Sequence, residues 1–259
     1  MLIIKPFNLV YFIFVGTVFI SVAVLVHFLN KMSLEKRRKI FTIVTGVVAA
    51  LLLFYKFSYR LDPEFIRDYP KYWGEYTIFN ELPINPCNIV ILMLPFAVYY
   101  QNAYLLSFCF FMGSISTTLA ITMPQQGYAG YSITKWHTFG FFLLHSLGVA
   151  LSISLIPLKL YKPCWKDIAK SSLTVLVTGS IAIIISFIIR KTGLCEFANY
   201  YFSMDAEGNP VLEFFYRLIP IPGLYIFCTY FIYVPGCFII ILIYKLFTQK
   251  NDKKVKHDH

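Results

Sequence analysis

Charge is scarce in this chain: 14% of its 259 residues are Asp, Glu, Lys or Arg, against 58% hydrophobic residues. With a mean hydropathy of +0.66, that shortage excludes an ordinary water-soluble domain and points to an integral membrane protein. The six cysteines, at 87, 109, 164, 195, 228 and 237, have no paired spacing. They form neither a disulfide framework nor a metal-ligand signature, so no metal is expected, and nothing implies a cofactor. Internal repeats, low-complexity segments and interdomain linkers are also missing, so residues 1–259 read as one membrane domain.

What the chain has is long apolar runs, too long for barrel strands, so the expected fold is an all-α, polytopic helical bundle. Seven stretches of helical length lie near 7–29, 40–57, 84–100, 103–123, 138–159, 170–190 and 224–247. The first is too long for a signal-peptide core and is kept as a helix. No charged residue falls near the middle of any span, which argues against an ion-coupled carrier.

The basic residues are distributed unevenly. Fourteen of the 23 Lys and Arg lie in the 31–39 and 159–170 connections and from Lys245 onward, on one side of a seven-span bundle, with only four of the 13 acids. Basic residues collect on the cytoplasmic side, so the N-terminus is expected outside and the tail 248–259 in the cytoplasm of a cell-membrane protein. The formal net charge of +10 thus follows topology and the anionic inner leaflet, and nucleic acid is excluded as a partner. Two outer loops, 58–83 and 191–223, mix charge with Tyr, Phe, Trp and Pro and suit short interfacial helices. Their tyrosines and Trp73 fit an aromatic belt, or else the rim of an entrance.

Residues 81–90, ELPINPCNIV, open the third span. Asn85 is expected as the N-cap and Pro86 at the first helical position, with Cys87 and Asn88 in the first turn. From there to Tyr99 and Tyr100 is about 15 residues, roughly 22 Å of helix against a hydrocarbon core of about 30 Å. The helix therefore starts below the surface, and an irregular backbone at that depth predicts a pocket. Cys87 would sit at the positive end of the helix dipole, which favours a thiolate nucleophile. His145, in FGFFLLHSLG, is the best candidate base and falls roughly 10 Å into the fifth span, level with Cys87. Ser114, Ser116, Thr117, Thr118, Ser146, Cys228 and Thr229 complete a polar layer at similar depth. Asn85, Asn88, Ser116, Thr117 and His137 are the candidate substrate contacts. The blander readings are a structural histidine bonded across a helix interface and a cysteine packed as a small hydrophobe.

LPINPC followed by a span, and two helices later FFLLHSLG, resembles the YwaF family of bacterial integral membrane proteins, which is related to the eukaryotic transmembrane protein 164 acyltransferases. That resemblance implies a cysteine and histidine pair, here Cys87 and His145, moving fatty acyl chains between phospholipids. Bacterial members commonly carry histidine where this chain has Asn85. The expected partners are membrane lipids, with a phospholipid as substrate. The alternative is a non-catalytic transporter or lipid- or solute-binding membrane protein whose half-helix dipole and polar layer hold a ligand.

Overall fold

The computed structural model describes residues 2–125 and 127–257, with side chains to residue 248. Among these the chain is helical, with an isolated bridge between Ile3 and Ser132 and no strand. Six helices are long and apolar enough to cross a membrane. They are α1 (Leu9–Asn30), α2 (Leu34–Ser58, extended by the turn Tyr59–Leu61), α6 (Ala103–Thr122), α7 (Trp136–Ser154), α8 (Lys166–Lys191) and the segment Tyr225–Thr248 that contains most of α10 (Tyr230–His257). The seventh expected span is α5 (Pro86–Tyr100), 15 residues and shorter than the rest. Three short helices lie in the loops: α3 (Pro63–Asp68), α4 (Pro70–Trp73) and α9 (Pro210–Leu218). Both long loops thus hold the short helices that their amphipathic sequence predicts.

Local chemistry sets most helix ends. Asn8, Ser33 and Asn102 each accept from a first-turn amide with the side chain, the usual N-cap bond. The fifth span ends at Ser154 and not at 159. Pro157 has no N–H and its ring clashes with the carbonyl four residues back, so the chain breaks into turns with Lys159 left-handed. On the side carrying the basic connections, the buried Arg37 donates to the carbonyls of Leu29, Asn30, Met32 and Leu158, satisfying groups at the ends of α1 and α7. The expected solvated tail 248–259 lies beyond the described side chains from residue 249 on, and Asp258 and His259 lie outside the described residues.

The helices α6 and α7 form the centre, with far more of their length buried than α1, α2, α8 or α10. Small residues allow the close approach. A Cβ on Gly113 would fall 2.1 Å from the Ser152 hydroxyl, and one on Gly140 would fall 2.2 Å from the Tyr55 ring. Gly140 therefore sets how near α2 comes to α7, and with it the position of Tyr55 and its neighbour Lys56.

The opposite side of the bundle, here called the loop side, carries the N-terminal segment and the loops 59–85, 123–135 and 192–224. There the backbone of Ile4 exchanges hydrogen bonds with Tyr131 and Gly130. A tight turn at Gln101 and Asn102 joins α5 to α6 at the far side. Because α5 is five residues shorter than α6, its start lies roughly 8 Å below the loop-side end of α6. The chain entering α5 is irregular yet enclosed: Phe79, Leu82 and Ile84 pack on Ala182, Ile189, Tyr200 and Tyr201. Gly140→Ala is expected to drive a methyl group into the Tyr55 ring and to destabilise the fold by about 1–3 kcal/mol, read as a lower thermal midpoint in detergent, whereas Gly16→Ala, with open space at its Cβ position, leaves it unchanged.

Candidate functional site

The recessed start of α5 brings Cys87 against α7. Its Sγ lies 3.2 Å from Nε2 of His145, and the other ring nitrogen of His145, Nδ1, lies 2.7 Å from the carbonyl oxygen of Phe141. A carbonyl only accepts, so Nδ1 carries the proton, and the neutral imidazole presents the Nε2 lone pair to the thiol. The Phe141 ring packs on the imidazole, with centroids 4.2 Å apart, and is itself stacked on Tyr128. One carbonyl and one ring thus fix both tautomer and orientation.

Asn85 occupies the N-cap position with extended backbone, but its side chain does not cap α5 as expected. Its backbone carbonyl takes the amides of Asn88 and Ile89, both at 2.9 Å, and its Oδ1 accepts from the amide of Tyr201 at 2.9 Å. Tyr201 is left-handed, so the asparagine pins a strained turn of the second long loop to the start of α5. Pro86 has no N–H. Among the described residues the Cys87 amide, first of the helix, has no backbone partner. Asn88 is buried, with Oδ1 3.8 Å from Sγ.

Cys87, Asn88, His145, Asn85 and Ser116 line one cavity of about 290 Å³. That is the lower end of ligand-pocket volumes. Thr229 also lines it. Thr117 does not: one residue from Ser116 is about 100° around the helix, and its side chain packs against Gly148 of α7 instead. Ser114 and Ser116 bond back to carbonyls of their own helix, and Ser146 is buried without a partner. His137 lies eight residues, roughly 12 Å, along α7 from His145. It is outside the cavity, with Nδ1 3.3 Å from Oδ2 of Asp62 and its ring stacked on Phe65. Among the described residues no three His, Cys, Asp or Glu side chains gather as a metal site.

Several lining groups escaped the sequence reading. Lys56 lines the cavity and its Nζ sits 2.5 Å from Oε2 of Glu81, both side chains being largely buried. Tyr69 donates to the other carboxylate oxygen at 2.8 Å. Burial beside Glu81 pushes the Tyr69 phenol far up from its ordinary value, so it stays a donor. Tyr59 and Tyr128, also on the cavity wall, are buried with hydroxyls 3.4 Å apart. These tyrosines are interior groups, not belt residues, and Trp73 packs among Phe65, Tyr69 and Tyr128. The one local hint was a lysine in the apolar run FYKFSYR.

At the loop side Gln125, another wall residue, donates from Nε2 to Oε2 of Glu207, while Asn199 Nδ2 donates to Oε1 at 2.7 Å. Burial, reinforced by Asp205, raises Glu207 from its ordinary 4.5 to about 7. This acid holds the second long loop to the loop before α7.

A helical bundle with apolar, lipid-facing spans and an internal cavity defines a multi-pass integral membrane protein. A family model described as the TMEM164 family matches residues 3–246, and the chain belongs to that family. No curated protein and no solved structure matches it.

Two outcomes follow from the charged groups. Glu81→Leu leaves the Lys56 ammonium buried and unpaired and is expected to cost about 3–5 kcal/mol, while adding Lys56→Met restores most of the thermal midpoint. For Glu207, the unfolded chain loses its proton first as pH rises. The folded state therefore binds more protons through the window from 4.5 to about 7, and stability is lost as pH rises across it. Glu207→Gln should remove that decline in thermal midpoint while keeping the acceptor for Gln125.

Proposed function

We propose that this chain is a cell-membrane acyltransferase that takes a fatty acyl group from a phospholipid ester onto Cys87 and passes it to an acceptor lipid. The observation that carries this reading is the 3.2 Å approach of the Cys87 sulfur to the unprotonated nitrogen of His145, within reach for proton transfer. The resemblance of LPINPC and FFLLHSLG to a family with an acylating cysteine and histidine points the same way.

In this chemistry Nε2 takes the thiol proton as sulfur attacks the ester carbonyl, and a tetrahedral oxyanion forms. The Cys87 amide, which has no backbone partner among the described residues, supplies a donor to it in a water-poor site where such donors count most. Collapse breaks the ester C–O bond. The departing alkoxide takes the proton from the imidazolium, leaving a lysolipid and a thioester. A hydroxyl of the acceptor then attacks, giving its proton to Nε2, and the thiolate leaves and is reprotonated. No external oxidant or energy source is needed, since an ester is exchanged for an ester. The basic-residue asymmetry supports a loop side, and a site, in the outer leaflet.

Purified protein in liposomes with a fluorescent acyl phospholipid and an unlabelled lysolipid is expected to move label between them. Cys87→Ser and His145→Ala should each lower the rate at least about 100-fold, with expression and thermal midpoint retained. Turnover surviving in Cys87→Ser would overturn the nucleophile.

A further inference from the structure

Two sets of residues border the cavity, and they differ in kind. Around Cys87 the wall is polar, with Lys56, Asn88, Tyr128 and His145. Along α6 the wall is apolar apart from Ser116. On α6 the lining residues Met112, Ile115, Leu119 and Met123, with Ser116 and Ala120 beside them, form a single helical stripe. That stripe runs roughly 16 Å toward the loop side.

Of the wall residues, the exposed ones share a chemistry. Leu119 is 49% exposed, Met123 44%, Val211 37% and Ile232 46%. All four are apolar, and they come from the loop-side ends of α6 and α10 and from the first turn of α9. An opening framed by such residues would be costly toward water. Leu119 and Ile232 lie on membrane-spanning helices whose exposed surface meets lipid, so the medium outside the opening is hydrocarbon. On α9, whose start is fixed by Asn209 accepting from the amides of Val211 and Leu212, the outward residues Phe214 and Leu218 continue the apolar surface. This suits a helix lying at the interface.

We propose that this opening is a lateral portal through which one hydrocarbon chain of a bilayer lipid enters sideways between α6, α9 and α10. The chain lies along the Met112–Met123 stripe, and its polar end meets Cys87. The volume accommodates part of a lipid and not a whole one, so the rest of the molecule stays in the loop-side leaflet. Selection would then act on the tail, through the length and shape of the stripe. The inference rests on the acyltransferase reading only for what happens to the chain afterwards.

The test compares two thiol reagents on the protein in liposomes, methyl and hexadecyl methanethiosulfonate, with modification of Cys87 followed by peptide mass spectrometry. Leu119→Trp should slow the hexadecyl reagent about tenfold or more and leave the methyl reagent within about twofold. The Leu119→Gln, Met123→Gln pair, which makes the mouth polar at similar volume, should act in the same direction. It carries the test where the Trp variant unfolds, as labelling of the buried Cys109 by the methyl reagent would reveal. Hexadecyl labelling indifferent to both substitutions, or absent from wild type, overturns the portal, and lipid turnover by that same protein would leave the acyltransferase reading standing. Labelling that obeys the substitutions in a protein without turnover has the opposite meaning.

Discussion

The structure depends on a helix that is too short. In hydrocarbon every backbone N–H and C=O needs a partner. A span that begins at Pro86, well below the loop-side end of its neighbour, forces residues 78–85 to find theirs inside the protein. They do so against α8 and the loop 195–201: Tyr200 donates to the Phe79 carbonyl, and Asn85 takes the Tyr201 amide. That enclosure leaves the first turn of α5 facing a hollow, and Cys87 stands in that turn. A full-length α5 would carry its first turn out to the headgroups, away from His145.

The same constraint accounts for the charged groups. A lysine in the last turns of α2 cannot stay unpaired among apolar helices, and Glu81, on the irregular segment ahead of α5, neutralises it with help from Tyr69. The pair ties α2 to the chain that positions Cys87 and places a cation on the cavity wall. Replacing buried ion pairs by apolar groups often costs nothing in stability. The pair therefore matters here for position more than for stability: it sets Lys56 on the wall of the cavity that Cys87 and His145 line.

Much of this was legible from the chain. Six of the seven expected spans, with their approximate limits, followed from apolar length, because lipid demands it, and the shorter α5 stands in the place of the seventh. The recessed start of α5 followed from Asn85-Pro86 and from the distance to Tyr99, and helical rise alone put Cys87 and His145 at one depth. What the sequence did not show was rotational or tertiary. Ser116 and Thr117 are neighbours in the chain, yet one lines the cavity and the other packs on α7, and periodicity did not say which face met the cavity. His137 shares a helix with His145, yet two turns take it to Asp62. The Lys56–Glu81 and Gln125–Glu207 bonds join residues 25 and 82 positions apart, and no local pattern announces such partners. Asn85 looked like a cap because its type and place were right, but a closer claim came from a loop more than a hundred residues away.

The central claim is a covalent one, that Cys87 carries the acyl group between two lipids, and the most direct measurement is of that intermediate. Protein incubated with acyl phospholipid without acceptor, then quenched in acid and digested, should yield the Cys87 peptide heavier by one fatty acyl group, in a linkage that neutral hydroxylamine cleaves. The adduct should disappear when lysolipid is added before quenching. An unmodified Cys87 peptide from protein that is turning lipid over would contradict the account.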